Sequence, residues 1–231
     1  MIIDMHNHSK GVSICCGRTY QENIDTAKNE GMDGIILTNH YQKFRYESEE
    51  NFVEKYHEEY RKAKAYGEEK GVKVYYGIEI TLESDRDVHF LVYGVGEEFL
   101  TAHPCIFDYS LEKIYETVHS FGGILVQAHP FRCGDKLVNT DYLDGIEISC
   151  HPKYHTTSSQ RVKEVASEKN LIITCGADYH GDVPYRPVCG LCVDKAPKDI
   201  KEIVEILTSN KPKTLLVHEC FAEKPETYSY N

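Results

Sequence analysis

The sequence contains no uninterrupted apolar run of about 18 residues, the length that a membrane-spanning helix needs. It also contains no Lys/Arg-rich run, and acidic residues outnumber basic ones by 37 to 26, which gives a formal net charge of −11. A protein that binds long nucleic acids needs a basic face to neutralise the phosphates. We therefore expect neither a membrane nor a long nucleic acid as a partner, and the oligomeric state stays open.

A secretory leader and a disulfide framework are also lacking. The N-terminal residues MIIDMHNHS do not form a basic segment followed by an apolar core. The nine cysteines are odd in number and irregularly spaced, which favours reduced thiols and a cytoplasmic location. Cys189 and Cys192 form one C-x-x-C motif. A structural zinc site needs a second such pair, so we interpret them as inward-facing residues of a strand.

Short apolar, β-branched runs alternate with helical patterns along most of the chain. Runs such as GIILT and GILVQ have no polar face, which is typical of strands that are buried on both sides. The alternation predicts an α/β fold with a parallel sheet covered by helices. A closed TIM-like barrel of seven or eight strands is the first choice, and a doubly wound open sheet is the alternative. The predicted strands are Ile2–Met5, Gly34–Leu37, Val72–Ile80, Val88–Tyr93, Ile124–Gln127, Gly145–Ser149, Leu171–Cys175 and Val188–Val193.

Five helices are predicted between or after these strands. Thr19 and Glu22 form a capping box at the start of the first helix, and glycines end several helices. The predicted helices are Thr19–Glu30, Asn51–Lys70, Leu111–Phe121, Ser159–Lys169 and Lys198–Thr208. The sequence shows no linker or repeat, so we predict one domain over residues 1–231. Its barrel core spans residues 2–208, and residues 219–231 form a loosely attached polar tail.

Metal-binding residue types follow the predicted strands. In parallel α/β folds, side chains at the carboxyl ends of the strands converge on one face, where active sites lie. His6 and His8 are two residues apart and so point the same way at a strand end, and Asp178 and His180 repeat that spacing. Imidazoles suit zinc, manganese or iron, and carboxylates bridge two ions. A cluster of metal ions is therefore predicted, with four further ligands at the other strand boundaries: His40, Glu79, His89 and His129.

The remaining histidines do not share this position. A single histidine is more often a surface or hydrogen-bonded core residue than a ligand, so we expect no direct chemistry from His57, His103, His119, His151, His155 and His218.

These motifs, in this order, resemble those of the polymerase-and-histidinol-phosphatase (PHP) family of metal-dependent phosphoesterases. DMHNHS resembles the opening D-x-H-x-H-[ST] motif of the family, and LTNH, GIEI, QAHP and GADYHG resemble its later motifs. VHFLVYG, which contains His89, resembles a further motif of the family. The resemblance covers nearly the whole chain, from about residue 2 to residue 190. It implies a distorted (β/α)7 barrel of the PHP type with a site for three metal ions.

The resemblance also implies which residues bind the two to three divalent ions (Zn, Mn or Fe). The implied ligands are His6, His8, Glu79 and Asp178 for the first ion, His40 and His180 for the second, and His89 and His129 for the third, with Glu79 bridging the first and third. A further Asp or His ligand of the second ion is missing, because the segment after His8 reads SKGVSICCGRT. Either Cys15 or Cys16 replaces it as a thiolate ligand, or the second ion is bound weakly or relies on water. In the latter case the two cysteines are buried as small apolar residues.

Residues and resemblance together predict hydrolysis of a phosphate monoester of a small metabolite, as in a histidinol phosphatase. A hydroxide that bridges two metal ions is the expected nucleophile. Planar guanidinium groups fit phosphate oxygens, so Arg132, Arg186 and Arg18 are the candidate phosphate-binding residues. His180 and His40 are candidates for the acid that protonates the leaving group, and Arg132 for catalytic charge stabilisation.

Two alternative functions stay open. Amidohydrolase barrels also begin with H-x-H, but they usually carry a bridging lysine where this sequence has Glu79, and a lone Asp where it has Asp178 with His180. The second alternative is a metal-binding regulatory module without catalysis, for which the missing second-site ligand is the only support.

Overall fold

The strands of the chain are arranged in two six-stranded sheets. The computed structural model describes residues 1–132, 134–153, 158–181, 183, 185–220 and 222–231. The first sheet has the order β12-β11-β10-β1-β2-β4 and the second β3-β5-β6-β7-β8-β9. The strands are β1 (Ile2–Asn7), β2 (Gly34–Leu37), β3 (His40–Tyr41), β4 (Lys73–Tyr76), β5 (Ile78–Thr81), β6 (His89–Tyr93), β7 (Ile124–Gln127), β8 (Gly145–Ser149), β9 (Ile172–Gly176), β10 (Gly190–Cys192), β11 (Lys213–Val217) and β12 (Glu226–Tyr230).

The two sheets are joined by segments that pass from one to the other. β2 is followed after two residues by β3, and β4 after Gly77 by β5. A Cβ on Gly77 would lie 2.7 Å from methyl groups of both Ile36 and Thr38, so only glycine allows this close approach. The predicted strand Val72–Ile80 is therefore divided at Gly77.

A mixed α/β fold is confirmed, but a closed barrel is not. Most pairings near the site are parallel, whereas β5, β6 and β7 pair antiparallel. Closing a barrel would require β9 to pair along β1. In the described residues that edge of β1 is taken by β10, which pairs antiparallel and continues into β11 and β12. β9 and its continuation approach β1 through a single parallel bridge between Asn7 and Tyr179.

Seven helices and two short 3-10 turns connect the described strands. Thr19 caps the first helix in a capping box with Glu22, as predicted. Gly71, with φ of 78°, ends the third helix in the left-handed conformation. The helices are α1 (Tyr20–Asn29), α2 (Lys43–Ser48), α3 (Phe52–Lys70), α4 (Glu97–Ala102), α5 (Leu111–Ser120), α6 (Ser158–Lys169) and α7 (Ile200–Thr208), and the 3-10 turns are Ile106–Asp108 and Thr140–Tyr142. No helix in the described part of the chain is long and apolar enough to cross a membrane.

The C-terminal residues correct one expectation. Glu226–Tyr230 form β12, which pairs with β11 over its full length, so this part of the chain is not a loosely attached tail. The Tyr230 hydroxyl donates to the carbonyl oxygen of Ile173 at 2.6 Å, and Tyr228 and Tyr230 are half-buried while Thr227 and Ser229 are exposed. This period of two is the pattern of a strand with one face on the core.

Candidate metal centre

The fold brings all eight predicted ligands to one place. They come from both sheets, from the carboxyl ends of β1 and β9, from β3 and β5, from the start of β6 and from the residue pair after β7. Their donor atoms form overlapping groups whose members lie within 4.8 Å of one another: His6, His8 and Glu79; His8, His40 and His180; and His40, Glu79 and His89.

The protons of His6 and His8 are directed away from the centre of this cluster. His6 Nδ1 donates to Glu147 Oε1 at 2.8 Å. The Ser13 hydroxyl donates to Asn39 Oδ1 at 2.9 Å, so it accepts from His8 Nδ1 at 3.2 Å. We therefore assign the Nδ1–H tautomer to both rings, which leaves an unprotonated Nε2 on each.

These two nitrogens face each other and two carboxylates. The Nε2 atoms of His6 and His8 are 3.0 Å apart, and His8 Nε2 lies 2.9 Å from Asp178 Oδ1 and 3.3 Å from Glu79 Oε2. Four acceptor atoms in contact repel one another unless a proton or a cation lies between them. Without a cation, burial lowers the pKa of His6, but Glu147, Asp178 and Glu79 outweigh it and raise that pKa well above its usual value.

His180 and His89 each have one ring nitrogen bonded to a backbone oxygen, which directs that nitrogen away from the centre of the cluster. His180 Nδ1 donates to the backbone oxygen of Asp178 at 2.8 Å, which leaves its Nε2 unprotonated. His89 Nε2 donates to the backbone oxygen of Arg86 at 3.1 Å, and its Nδ1 lies 2.9 Å from Glu79 Oε1. Burial lowers the pKa of His89, but Glu79 outweighs it and raises that pKa when no cation is bound. His40 Nδ1 lies 2.7 Å from Glu79 Oε2, yet both atoms are buried without a hydrogen bond of acceptable geometry in the described chain.

Both carboxylates are ionised in this setting. Burial raises the pKa of Glu79, but His40, His6 and His89 outweigh it and hold the pKa well below its usual value. Burial likewise raises the pKa of Asp178, and Arg132, His6 and His180 hold it well below the usual range. Burial and Arg132 lower the pKa of His129 to about 3, so this ring is neutral. The ionised carboxylates and the neutral ring of His129 are already in the protonation states that metal ligands need, and a cation would take the place of the proton that the carboxylates attract to His6.

Two of the ligands have a strained backbone. His129 and Asp178 have φ values of 34° and 48°, in the left-handed region that side chains other than glycine rarely adopt. Such strain costs about 1–3 kcal/mol per residue and is retained where the surrounding structure fixes it, often at functional sites. The residues present thus fit a cluster of divalent cations by their donor types, their tautomers and their unsatisfied buried atoms.

A cavity of about 250 Å³ opens above the ligands. It is lined by Cys15, His40, His89, His129, Arg132, His151, Asp178 and His180. Arg132 lies at its wall, where Nη2 donates to Ser149 Oγ at 2.8 Å and to Asp178 Oδ2. The guanidinium thus lies beside the metal ligands in the lining of the same cavity.

The other two candidate phosphate ligands are placed differently. Arg186 is 2% exposed, and its guanidinium donates to Asp4 at 2.7 Å and to Asn7 and Asn23. This burial does not support the predicted role of Arg186 in phosphate binding, since both of its terminal nitrogens donate to protein groups. Arg18 is half-buried, and its side chain packs against Gly181 beside His180.

Two residues near the centre were not predicted. Glu147 is buried in β8, accepts from His6 Nδ1 and accepts from the backbone N–H of His129 at 3.1 Å, so it orients two ligands. His151 was expected to be uninvolved, yet it is 5% exposed, lines the cavity, and has a ring nitrogen within 4.8 Å of the donor atoms of Asp178 and His180. His155 lies outside the described residues.

The two cysteines after His8 have different environments. Cys16 is buried, and its thiol faces the backbone oxygens of His8 and Arg18 at 3.5 Å, which agrees with a small apolar residue. Cys15 lines the cavity. Burial, Glu79 and Asp178 raise the pKa of Cys15 to about 12, so it is a thiol when no cation is bound.

Sequence and structure comparisons agree with this geometry. A family model of the PHP domain matches residues 4–212, and the chain therefore belongs to the PHP domain family. Structurally it is similar to a two-domain protein from Bacteroides vulgatus that contains a predicted PHP-like metal-dependent phosphoesterase, with a TM-score of 0.70 and 17% identity over 94% of this chain. The chain spans 65% of the length of that protein.

Two further structures share the fold. PsfC from Pseudomonas syringae has a TM-score of 0.60 and 17% identity, with coverage of 99% of this chain and 90% of PsfC. An amidohydrolase from Chromobacterium violaceum, solved with bound sulfate and no metal, has a TM-score of 0.57 and 18% identity over 89% of this chain and 96% of its own. At such identities the similarity concerns the fold alone. No curated protein matches the sequence significantly.

Proposed function

We propose that the chain is a metal-dependent phosphatase that hydrolyses a phosphate monoester of a small metabolite. The observation that carries the proposal is the cluster of imidazole nitrogens and ionised carboxylates beneath a cavity with Arg132 at its wall. Two to three divalent ions, bound by the eight ligands of the metal centre, would supply Lewis-acid activation of water and of a phosphate oxygen. A histidinol-phosphatase-like substrate is one possibility within this proposal.

The residues of the chain have separable tasks in this reaction. Glu79 and Asp178 provide negative charge between the histidines, and Glu147 fixes the tautomer of His6. Arg132 is positioned to bind phosphate oxygens and to stabilise the charge that they gain in the transition state. The cavity of about 250 Å³ accommodates a phosphate group, while the rest of a substrate would extend towards the surface.

The hydrogen bonds favour His151 over His180 as a donor to the substrate. His180 has its ring proton on Nδ1, bound to the Asp178 backbone, so its neutral ring offers a lone pair to a metal ion. His151 accepts a hydrogen bond from the Lys153 N–H at Nδ1, at 3.1 Å, so its neutral ring carries the proton on Nε2. We propose His151 as the residue that donates to a substrate oxygen.

An amide or ring hydrolase is the second candidate, since one similar structure is named an amidohydrolase. Glu79 favours the phosphatase. It contacts His40, His89 and His129 directly, and by the resemblance in sequence it replaces the lysine that amidohydrolases usually carry. A cytoplasmic location, a small phosphorylated substrate as sole partner, and a single domain remain predictions from the sequence.

The proposal is tested with chelator-treated protein that is reloaded with Mn²⁺ or Zn²⁺. p-Nitrophenyl phosphate, bis-p-nitrophenyl phosphate and a p-nitroanilide represent a monoester, a diester and an amide. We expect metal-dependent hydrolysis of the monoester, abolished in His40→Ala and retained in His119→Ala, whose side chain is 42% exposed and pairs with Asp144. Turnover of the anilide alone would favour the amide hydrolase, and stoichiometric metal binding without any turnover would favour the regulatory module.

A further inference from the structure

Three buried cysteines form a cluster separate from the metal centre. Cys150 follows β8, Cys175 lies in β9 and Cys189 immediately precedes β10. All three are at most 1% exposed. Their sulfur atoms lie within 4.8 Å of one another, and those of Cys150 and Cys175 are 3.5 Å apart. Because β9 and β10 belong to different sheets, the cluster lies where the two sheets meet.

These spacings suit one shared cation. Thiolates bind a zinc-sized ion at about 2.3 Å, so two sulfurs on the same ion are separated by about 3.7–4.0 Å. The three sulfurs therefore reach one ion with small side-chain adjustments, and each is attached to a strand or its first flanking residue. Simple packing of small apolar side chains is the alternative explanation, and it predicts no affinity for metal.

The charge distribution in the cluster also favours a cation. The backbone N–H of His218 donates to Cys150 Sγ at 3.3 Å. Hydrogen bonds from the Cys175 and Cys189 thiols, together with this N–H, lower the pKa of Cys150 well below its usual value. Burial raises the pKa of Cys175 and of Cys189. A bound cation would compensate negative charge on these buried sulfurs, where an unpaired charge is costly.

We propose that Cys150, Cys175 and Cys189 bind one soft, thiophilic cation that links the two sheets. Thiolate ligands select soft ions such as Cu(I). The described residues place no fourth His, Cys, Asp or Glu donor in this group, whereas structural zinc sites have four protein ligands. A three-coordinate soft ion is therefore expected in preference to zinc. Binding would release the thiol protons of Cys175 and Cys189 to solvent.

The test uses thiolate-to-metal charge-transfer absorption in the near ultraviolet, which His and carboxylate ligands do not produce. The protein carries Cys15→Ser, so that the cavity of the metal centre has no thiol, and it is reduced, treated with chelator and dialysed against Cu(I) or Cd²⁺. We expect one equivalent of thiolate-bound metal ion per chain. It should be retained when Cys192→Ser is added and lost with Cys175→Ser or Cys189→Ser. Cys192 belongs to the same C-x-x-C motif but lies outside the cluster, so it is the matched control.

Two results would overturn the proposal: no thiolate absorption with either ion, or full absorption in both cluster variants. Displacement of bound Cd²⁺ by Zn²⁺ but not by Cu(I) would overturn the assignment to a soft, three-coordinate ion. A buried Cys→Ser change is able to prevent folding. X-ray absorption of copper-loaded protein without cluster substitutions therefore gives an independent count of the sulfur atoms bound to the ion. Three sulfur neighbours support the site, and a shell with fewer contradicts it.

Discussion

Replacing Arg186 with Met distinguishes an arginine that stabilises the fold from one that binds phosphate. The guanidinium contacts the buried carboxylate of Asp4 at 2.7 Å. Asp4 in turn accepts hydrogen bonds from the backbone N–H groups of His6 at 3.1 Å and Ala177 at 2.9 Å. The pair therefore joins β1 to the segment that leads to Asp178, and the substitution would leave a buried carboxylate without its cation.

The expected loss of stability is large. Breaking a buried ion pair by removing one partner costs about 3–5 kcal/mol, and in a chain of this size each 1 kcal/mol lowers Tm by about 2–4 °C. We expect Arg186→Met to lower Tm by about 6–20 °C. Burial already raises the pKa of Asp4 despite Arg186, and the variant would raise it further. A carboxyl group whose pKa is higher in the folded than in the unfolded state destabilises the fold once the pH exceeds the unfolded value, so the loss of stability should grow as the pH rises from the acidic range towards neutrality.

Thermal unfolding followed by circular dichroism measures this effect, and steady-state kinetics below the transition measure KM for the phosphate ester. Arg86→Met is the matched control, because the Arg86 side chain is 69% exposed and a surface pair contributes about 0–1 kcal/mol. A Tm close to that of the unmodified protein, combined with a strongly increased KM, would refute the structural role of Arg186 and support its predicted role in phosphate binding.

Three further substitutions test the metal centre. Glu147→Gln removes the carboxylate that orients His6, and metal affinity measured by calorimetry should fall about 10- to 100-fold; unchanged affinity would contradict this role. Arg132→Ala should reduce kcat/KM for the monoester about 10²- to 10³-fold while the bound metal, measured by elemental analysis, is retained. His151→Ala should reduce kcat about tenfold through loss of one hydrogen bond of about 1.5 kcal/mol. A metal content of this variant below that of the parent protein would show instead that His151 is a metal ligand.

The sequence predicted the elements with a strong local pattern. Gly34–Leu37, Ile124–Gln127 and Gly145–Ser149 agree residue for residue with the predicted strands. Each is a short apolar run with a glycine at or beside its first residue, so both its type and its start are visible locally. The two-residue strand β3 has no such signal. It exists because His40 pairs with Glu79, a partner that is distant in the sequence.

The residues around the metal ligands were harder to predict. Arg186 follows a motif and resembles a phosphate ligand in the sequence, but its role is decided by Asp4, which is 182 residues away. His151 did have a signal, because it follows the end of β8 by two residues, just as His129 follows β7. Glu147 also had one, since it is a charged residue in the middle of the apolar run GIEIS, where burial requires a polar partner.

The open junction between the two sheets explains why the ligands are distributed as they are. In the described chain, β1 and the segment after β9 are joined by one isolated bridge, by the bond from Asp178 N–H to the His6 carbonyl at 2.9 Å and by the bond from Ala177 N–H to Asp4 Oδ1 at 2.9 Å. His6 and His8 are attached to the first sheet, whereas Asp178 and Glu79 are attached to the second. A cation held between these side chains would therefore connect the sheets where the backbone ladder does not. Metal binding and the mutual orientation of the two sheets are therefore expected to be coupled.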